Sequence, residues 1–312
     1  MKVSVIVPNW NGIRFIGMCL DSLAASTFGA FEVIVVDNGS VDGSRELVEE
    51  EYPWVRLVKL PENMGFATAC NRGIQAARGD YICLLNNDIE VEPGWITQLY
   101  EGMERHPECG MGTTKMMFLD QRDTFYNTGD LFHAWSSGGG RGQGEKDAGQ
   151  YDREEYVFGA CAGAGIYRRE LFDTVGVFDE DFFIFAEDVD LNMRGQLQGF
   201  QAVYLPQAKV YHIGTATVGL YSDRYVYLCK RNDIYVLIKN LSLGMYFKYF
   251  FTILKHQLAD IKYFSYRGQG AVLLKSKFAA MMKLVPLLAR RYRIQRTRTV
   301  PDAEIEKLMI TH

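Results

Sequence analysis

The front of the chain alternates short apolar runs with amphipathic stretches. Val3–Val7, Phe31–Val36, Val55–Leu60 and Tyr81–Leu85 are mostly apolar and β-prone, as buried strands are. Between them, Ile13–Ala25 repeats Phe15, Ile16, Cys19, Leu20 and Leu23 at helical spacing. Ser40–Glu51 offers Asp42 and Ser44 as caps, and Gly65–Ala77 reads as a third helix. The order β-α-β-α-β-α-β predicts a parallel, doubly wound α/β sheet. Right-handed crossovers then bring the carboxyl ends of the strands to one edge. Further on, a helix opens at Glu92-Pro93-Gly94-Trp95 and runs towards His106, and Met111–Phe118 and Ala202–Leu205 read as strands. The Gly-rich segment from Ser136 to Gly149 reads as a loop, either a flap over substrates or a plain insertion.

Polar residues cluster where these strands end. Asn86-Asn87-Asp88 follows Leu85 directly. Ligands bind beyond the carboxyl ends of parallel strands, and hard divalent cations prefer oxygen donors. The same tripeptide also suits a simple turn. Asp37 follows the second strand and can accept a hydrogen bond from a base or ribose, or cap an Asx turn. Asn63-Met64-Gly65-Phe66 precedes a helix whose N–H groups can face a phosphate, or be capped in the ordinary way. Phe158–Gly165 is rich in small residues that permit close backbone approach. Glu187-Asp188-Val189-Asp190 places three acids after aromatic residues. There a carboxylate can gain the raised pKa of a general base, or complete a helix N-terminus. Arg194 sits at the (i, i+4) position from Asp190. His212 is either a structural histidine or a ligand.

Composition narrows the class. Apolar residues at 48% and charged residues at 23% describe a globular protein. Six scattered cysteines without a CxxC pair argue against a zinc site or a disulfide framework and point to a cytoplasmic setting. The Val3–Val7 run is too short for a signal peptide. Ile234–Leu254 is interrupted by Lys239, Asn240 and Lys248, so no spanning helix is expected. No Walker loop and no GxGxxG occurs. Charge is unevenly spread: Ser222–Arg298 holds sixteen basic and three acidic residues, whereas residues 1–221 are net acidic.

The motifs Val5–Gly12, Val35–Ser40, Asn63–Phe66, Asn71-Arg72-Gly73 and Leu84–Asp88 occur in an order that resembles glycosyltransferase family 2, especially its rhamnosyltransferase-like branch. The resemblance spans roughly residues 1–220. It implies a GT-A fold and inverting transfer from a nucleotide-diphosphate sugar. It also implies that Pro8, Asn9, Asn11, Asp37, Asn63, Gly65, Asn71 and Asn87 hold the donor. Asn86-Asn87-Asp88 takes the place of the metal-binding DxD, with Asn86 replacing its first Asp and leaving Asp88 the charged contact. A divalent cation, Mg2+ or Mn2+, is the implied cofactor, with His212 completing its shell or contacting the diphosphate. Asp188 resembles the catalytic base, supported by Glu187, and Gly163, Ala164 and Asp190 border the acceptor.

These readings divide the chain into a GT-A catalytic domain over residues 1–221, with donor half 1–110 and acceptor half 111–221, and a basic helical extension over 222–312. The extension mixes aromatic and basic residues as surface-binding helices do, and predicts an anionic membrane surface at the inner face of the plasma membrane. A bundle packed on the catalytic domain is the alternative. No nucleic-acid module is visible. The expected donor is deoxythymidine-diphosphate rhamnose, and the acceptor a lipid-linked or polysaccharide glycan of the cell surface. A uridine-diphosphate hexose or N-acetylhexosamine donor, a non-catalytic sugar-nucleotide-binding scaffold and a homodimer remain open.

Overall fold

The four apolar runs become neighbouring strands of one sheet. In the computed structural model, which describes residues 1–136, 138–214, 219 and 221–311, β1 (Val3–Asn9) pairs in parallel with β2 (Phe31–Asn38) and β4 (Tyr81–Leu85), and β2 pairs with β3 (Arg56–Leu60). Helices α1 (Ile16–Ala24), α2 (Ser44–Glu51) and α3 (Phe66–Ala76) supply the crossovers. Side chains alternate as a pleated sheet requires. Val3, Val5 and Val7 join Ile16, Leu20 and Leu23 in one core. Ile6, Ile34 and Ile82 join Ala69 and Ile74 of α3 in the core on the other face.

The expected parallel pairing holds over β1–β4; beyond β4 the sheet becomes mixed. The chain adds β5 (Ile89–Val91), α4 (Trp95–Arg105), β6 (Cys109–Phe118) and the short strands β7 (Phe125–Asn127), β8 (Phe132–His133) and β9 (Glu155–Val157). It then inserts β10 (Ala164–Arg168) antiparallel between β4 and β6. This strand is entered from a loop of small residues rather than from a crossover helix, so nothing obliges it to run parallel. After α5 (Arg169–Val175), a 3-10 turn (Glu180–Phe182) and α6 (Glu187–Leu197), the long strand β11 (Gln201–His212) pairs with β6, β9 and β5. The strand order is β3-β2-β1-β4-β10-β6-β11-β5.

The basic extension is partly interior. It comprises α7 (Asp223–Asn240), α8 (Leu243–Lys248), α9 (Phe250–Tyr266), α10 (Gly270–Met282), α11 (Leu284–Thr297), α12 (Asp302–Glu306) and β12 (Met309–Ile310). A third core joins Phe132, Phe158, Phe182 and Met193 to Val236, Leu241, Leu287 and Ile305, so it crosses the boundary expected at residue 221. β12 pairs in parallel with β8. Among the described residues no helix is long and apolar enough to cross a membrane. Ser137 of the Gly-rich segment, and residues 215–218 and 220 at the end of the expected catalytic domain, lie outside the described residues.

Candidate active site

The carboxyl ends of β1, β2 and β4 open into a cavity of about 390 Å3. Its wall includes Pro8, Asn9, Asn38, Asn63, Asn86, Asn87, Asp88 and His212, with Trp10, Phe66, Tyr126, the Phe183–Phe185 turn and Arg224 around them. Asn9 links three elements. Its Nδ2 donates to Oγ of Ser44 at 2.9 Å and faces Oδ1 of Asp37 at 3.4 Å, and its Oδ1 accepts from Nδ2 of Asn87 at 2.7 Å. Gly12 lies against this pair; a Cβ there would overlap both the Asn9 and Asn87 side chains. Asn38 Nδ2 donates to Asn63 Oδ1 at 3.1 Å, and the Met64 N–H donates back to Asn38 Oδ1 at 2.9 Å. The Asx network therefore fixes the entry to α3.

A second cavity of about 330 Å3 adjoins the first, and both are lined by Phe66, Asn86, Tyr126, Ile184, Phe185 and His212. Asp88 lies in the first and Asp188 and Glu187 in the second. Pairing of His212 with Ile89 across β11 and β5 brings its Nε2 to 3.1 Å from Oδ1 of Asp88. Tyr126 packs edge-on against the imidazole, ring centroids 4.4 Å apart. Nδ1 of His212 is buried with no hydrogen-bond partner among the described residues. Asp88, His212 and the amide oxygen of Asn86 are donors of the kinds that could hold a divalent cation.

Asp188 accepts hydrogen bonds from the N–H groups of Ala162 (3.2 Å) and Val189 (2.8 Å). Burial raises its pKa against the lowering effect of these bonds. Glu187 is pushed up further, first by burial and then by the charge of Asp188, and its Oε2 has no partner among the described residues. Asp130 is buried and held by Asn127 and Asn192 at 3.1 Å each. Its pKa is also raised by burial and by Asp188. Ligand atoms of Asp130, Cys161 and Asp188 lie within 4.8 Å of one another.

A sequence model of the glycosyl transferase family 2 matches residues 4–176, more than half of this chain. The chain belongs to glycosyl transferase family 2. The N-acetylglucosaminyl-diphospho-decaprenol L-rhamnosyltransferase of Mycobacterium tuberculosis is 28% identical over 250 residues, covering 69% of this chain and 80% of its own length. Other curated relatives are longer, and the chain spans only 25% and 18% of two of them. S. aureus TarS 1-349 in complex with UDP-GlcNAc superposes with a TM-score of 0.57 at 22% identity, covering 99% of this chain and 84% of that one. GalNAc-T7 with UDP, GalNAc and Mn2+ superposes with a TM-score of 0.62 at 16% identity, covering 77% and 48%. The fold is GT-A, and this family 2 member is a glycosyltransferase.

Several residues expected at the site lie elsewhere in this glycosyltransferase. Asn71 is buried and exchanges hydrogen bonds with the backbone of Phe178 (2.9 and 3.0 Å), so it ties α3 to a loop rather than lining a cavity. Ala164 is a core residue of β10, while its neighbour Gly163 reaches the second cavity. Asp190 points away from the cavities into a buried ion network with Arg194 (3.0 Å) and Lys239 (2.8 Å). Burial alone would raise its pKa, but these two charges outweigh it and hold it at about 2. The expected Asp190–Arg194 pair forms, as part of that network. Asp37 is fully buried and caps its own turn by accepting from the Ser40 N–H at 3.2 Å, and Asn11 accepts from Val41 N–H at 2.9 Å. Neither lines the two cavities, nor does Gly65, at φ +92°, where a Cβ would come within 2.7 Å of Phe183.

Sequence reasoning did not single out Tyr126, Asp130, Arg224 or Asn232. Asn232 is fully buried, and its Nδ2 lies 2.8–3.0 Å from the carbonyls of Phe182, Ile184 and Phe185. It thereby braces a turn in which Phe183, Phe185 and Ala186 all have positive φ (68°, 74° and 63°). Such strain persists only where surrounding contacts enforce it.

Proposed function

We propose that this glycosyltransferase transfers a sugar, with inversion, from a nucleotide-diphosphate donor in the first cavity to an acceptor hydroxyl in the second. The reading rests on one observation: the cavities of Asp88 and Asp188 adjoin, sharing His212, Asn86 and Tyr126 as walls. Asp188 takes the proton of the acceptor hydroxyl as its oxygen bonds to the anomeric carbon. The bond from that carbon to the diphosphate oxygen breaks on the opposite face, and the nucleoside diphosphate departs with the electron pair. Burial suits Asp188 to this task by raising its basicity. Burial and the charge of Asp188 push the Glu187 carboxyl up, and Glu187 supports Asp188 from beside it.

Asp88, His212 and Asn86 would hold a divalent cation: Nε2 of His212 lies 3.1 Å from Asp88 Oδ1, and its Nδ1 has no hydrogen-bond partner among the described residues. When bound, such a cation neutralises diphosphate charge. Arg224, at the mouth of the first cavity with its guanidinium 5.5 Å from the Phe183 ring centroid, adds a fixed positive charge for the same anion. GalNAc-T7 carries UDP and Mn2+ on this fold, which supports the cation reading.

The donor we favour is deoxythymidine-diphosphate rhamnose and the acceptor a lipid-linked sugar of cell-surface glycan synthesis, on the strength of the mycobacterial rhamnosyltransferase relative. A thermal-shift panel of dTDP-rhamnose, UDP-hexoses and UDP-N-acetylhexosamines with manganese tests the donor, since a true ligand raises the midpoint by mass action. Asp188→Asn is expected to lower transfer by about 10²–10⁴-fold while the donor-induced shift persists. Unchanged turnover would remove Asp188 as base, and a shift by UDP sugars alone would replace the donor.

A further inference from the structure

The catalytic cavities leave unexplained a large apolar surface on the helical extension. On α8 and α9, Phe247 (77% exposed), Phe250, Phe251 (80%), Leu254, Leu258 and Ile261 are all solvent-facing. Their spacing of one, three and four residues puts them along one side of the helix. The other side is satisfied: Ile253 and Phe264 are buried, the first in the core that crosses from the catalytic region and the second against Val226 and Leu273. α10 and α11 repeat the pattern, with Phe278 68% and Val285 78% exposed. Exposed apolar residues this numerous and this regularly spaced mark an interaction site.

Charge identifies the partner. Lys248, Lys255 and Lys262 recur every seven residues, which sets them in a row flanking the apolar stripe, and all three are exposed. Between Asp233 and Asp302 the sole acidic residue is Asp260, and it is bound by Lys230 at 3.0 Å. Lys248 is paired with Glu306 at 2.7 Å; a surface of exposed Phe, Leu and Ile beside the exposed Lys255 and Lys262 complements a lipid bilayer carrying anionic headgroups: rings and aliphatic chains enter the acyl boundary while ammonium groups meet the phosphates. A protein partner would ordinarily place some acidic groups within so large a face.

We propose that α8–α11 lie in the headgroup layer of an anionic bilayer, docked through the apolar stripe of α9 and its lysine row. Docking there has a consequence for the proposed acceptor. The ring of Trp135 stacks on His256 of α9, with centroids 4.1 Å apart and planes inclined by 7°. Trp135 leads into Gly138–Gly140, which line the second cavity. The acceptor side of the enzyme is thus joined directly to the membrane-facing helix. This consequence rests on the transfer reading above; the docking does not.

The test uses the full chain and vesicle flotation, with no sugar transfer involved. Wild type is expected to float with phosphatidylglycerol–phosphatidylcholine vesicles and to bind pure phosphatidylcholine at least tenfold more weakly, with binding falling as salt rises. The Phe251→Ser/Leu258→Ser and Lys255→Glu/Lys262→Glu variants should each lose tenfold or more of that binding. Both should keep the wild-type unfolding midpoint, because all four residues are exposed. Equal flotation by either variant, or no preference for phosphatidylglycerol, would overturn the proposal. So would absence of flotation together with a dimer in light scattering that Phe251→Ser/Leu258→Ser makes monomeric, which would assign the stripe to a second copy.

Discussion

Glu187 is held in a place that does not suit an ionised carboxylate. It is buried, faces the charge of Asp188, and leaves one oxygen without a partner among the described residues. Its folded pKa lies well above the unfolded value near 4.3, so ionisation opposes folding. Stability then declines as pH rises from about 4 towards the folded pKa. Glu187→Gln removes this term. It is expected to raise the unfolding midpoint relative to wild type by an amount that grows with pH, while transfer falls; melting curves from pH 4 to 8 check this. At this scale the chain was legible wherever a polar residue ends an apolar run, as with Asn9, Asn87 and Asp88. Tyr126 and Asp130 gave no such signal, because their role comes from partners far off in sequence, His212 and Asp188. Asn71, Ala164 and Asp190 sit inside matching motifs yet serve the interior, since a motif fixes residue type and not the direction a side chain faces.

Between elements, the contact of α6 with α7 governs the site. Asn232 of α7 reaches the turn that delivers Glu187 and Asp188. Asn232→Ala takes the side-chain donor from the Ile184 and Phe185 carbonyls, while that of Phe182 keeps Arg231 at 2.8 Å, and frees the positive-φ residues of the turn to relax. We expect a fall in kcat of at least tenfold with a smaller change in donor affinity, measurable by steady-state kinetics and thermal shift. Further along α7, Lys239 is buried between Asp179 (2.5 Å) and Asp190 (2.8 Å). Lys239→Met takes one cation from each acid, leaving Asp179 to Arg290 at 2.9 Å and Asp190 to Arg194 at 3.0 Å, and should cost about 1–3 kcal/mol, read by urea denaturation at pH 7. The depressed pKa of Asp190, about 2, means that its stabilising contribution is fully present above the unfolded value near 3.9 and is lost as pH falls towards 2. The strands and helices of the first half were readable because their periodicity is local. The antiparallel β10 was not, since its direction depends on which loop feeds it.

For the molecule as a whole, the composition of the basic extension described its outside and concealed its inside. Many of its aromatics are exposed, while Lys239, Asn232 and Val236 are buried. A chain ending before residue 222 would bare Phe132, Phe158, Phe182 and Met193 together. We expect it to be insoluble or to lack a cooperative melt, whereas the full chain unfolds in one transition by calorimetry. The pairing of Phe132–His133 with Met309–Ile310 also carries a message about biosynthesis. On the ribosome, the strand that leads into the rim of the second cavity waits for a partner made 177 residues later. A nascent chain stalled before that point would hold a finished sheet and donor pocket beside an unfinished rim, so assembly of the two halves of the site is ordered in time by translation itself.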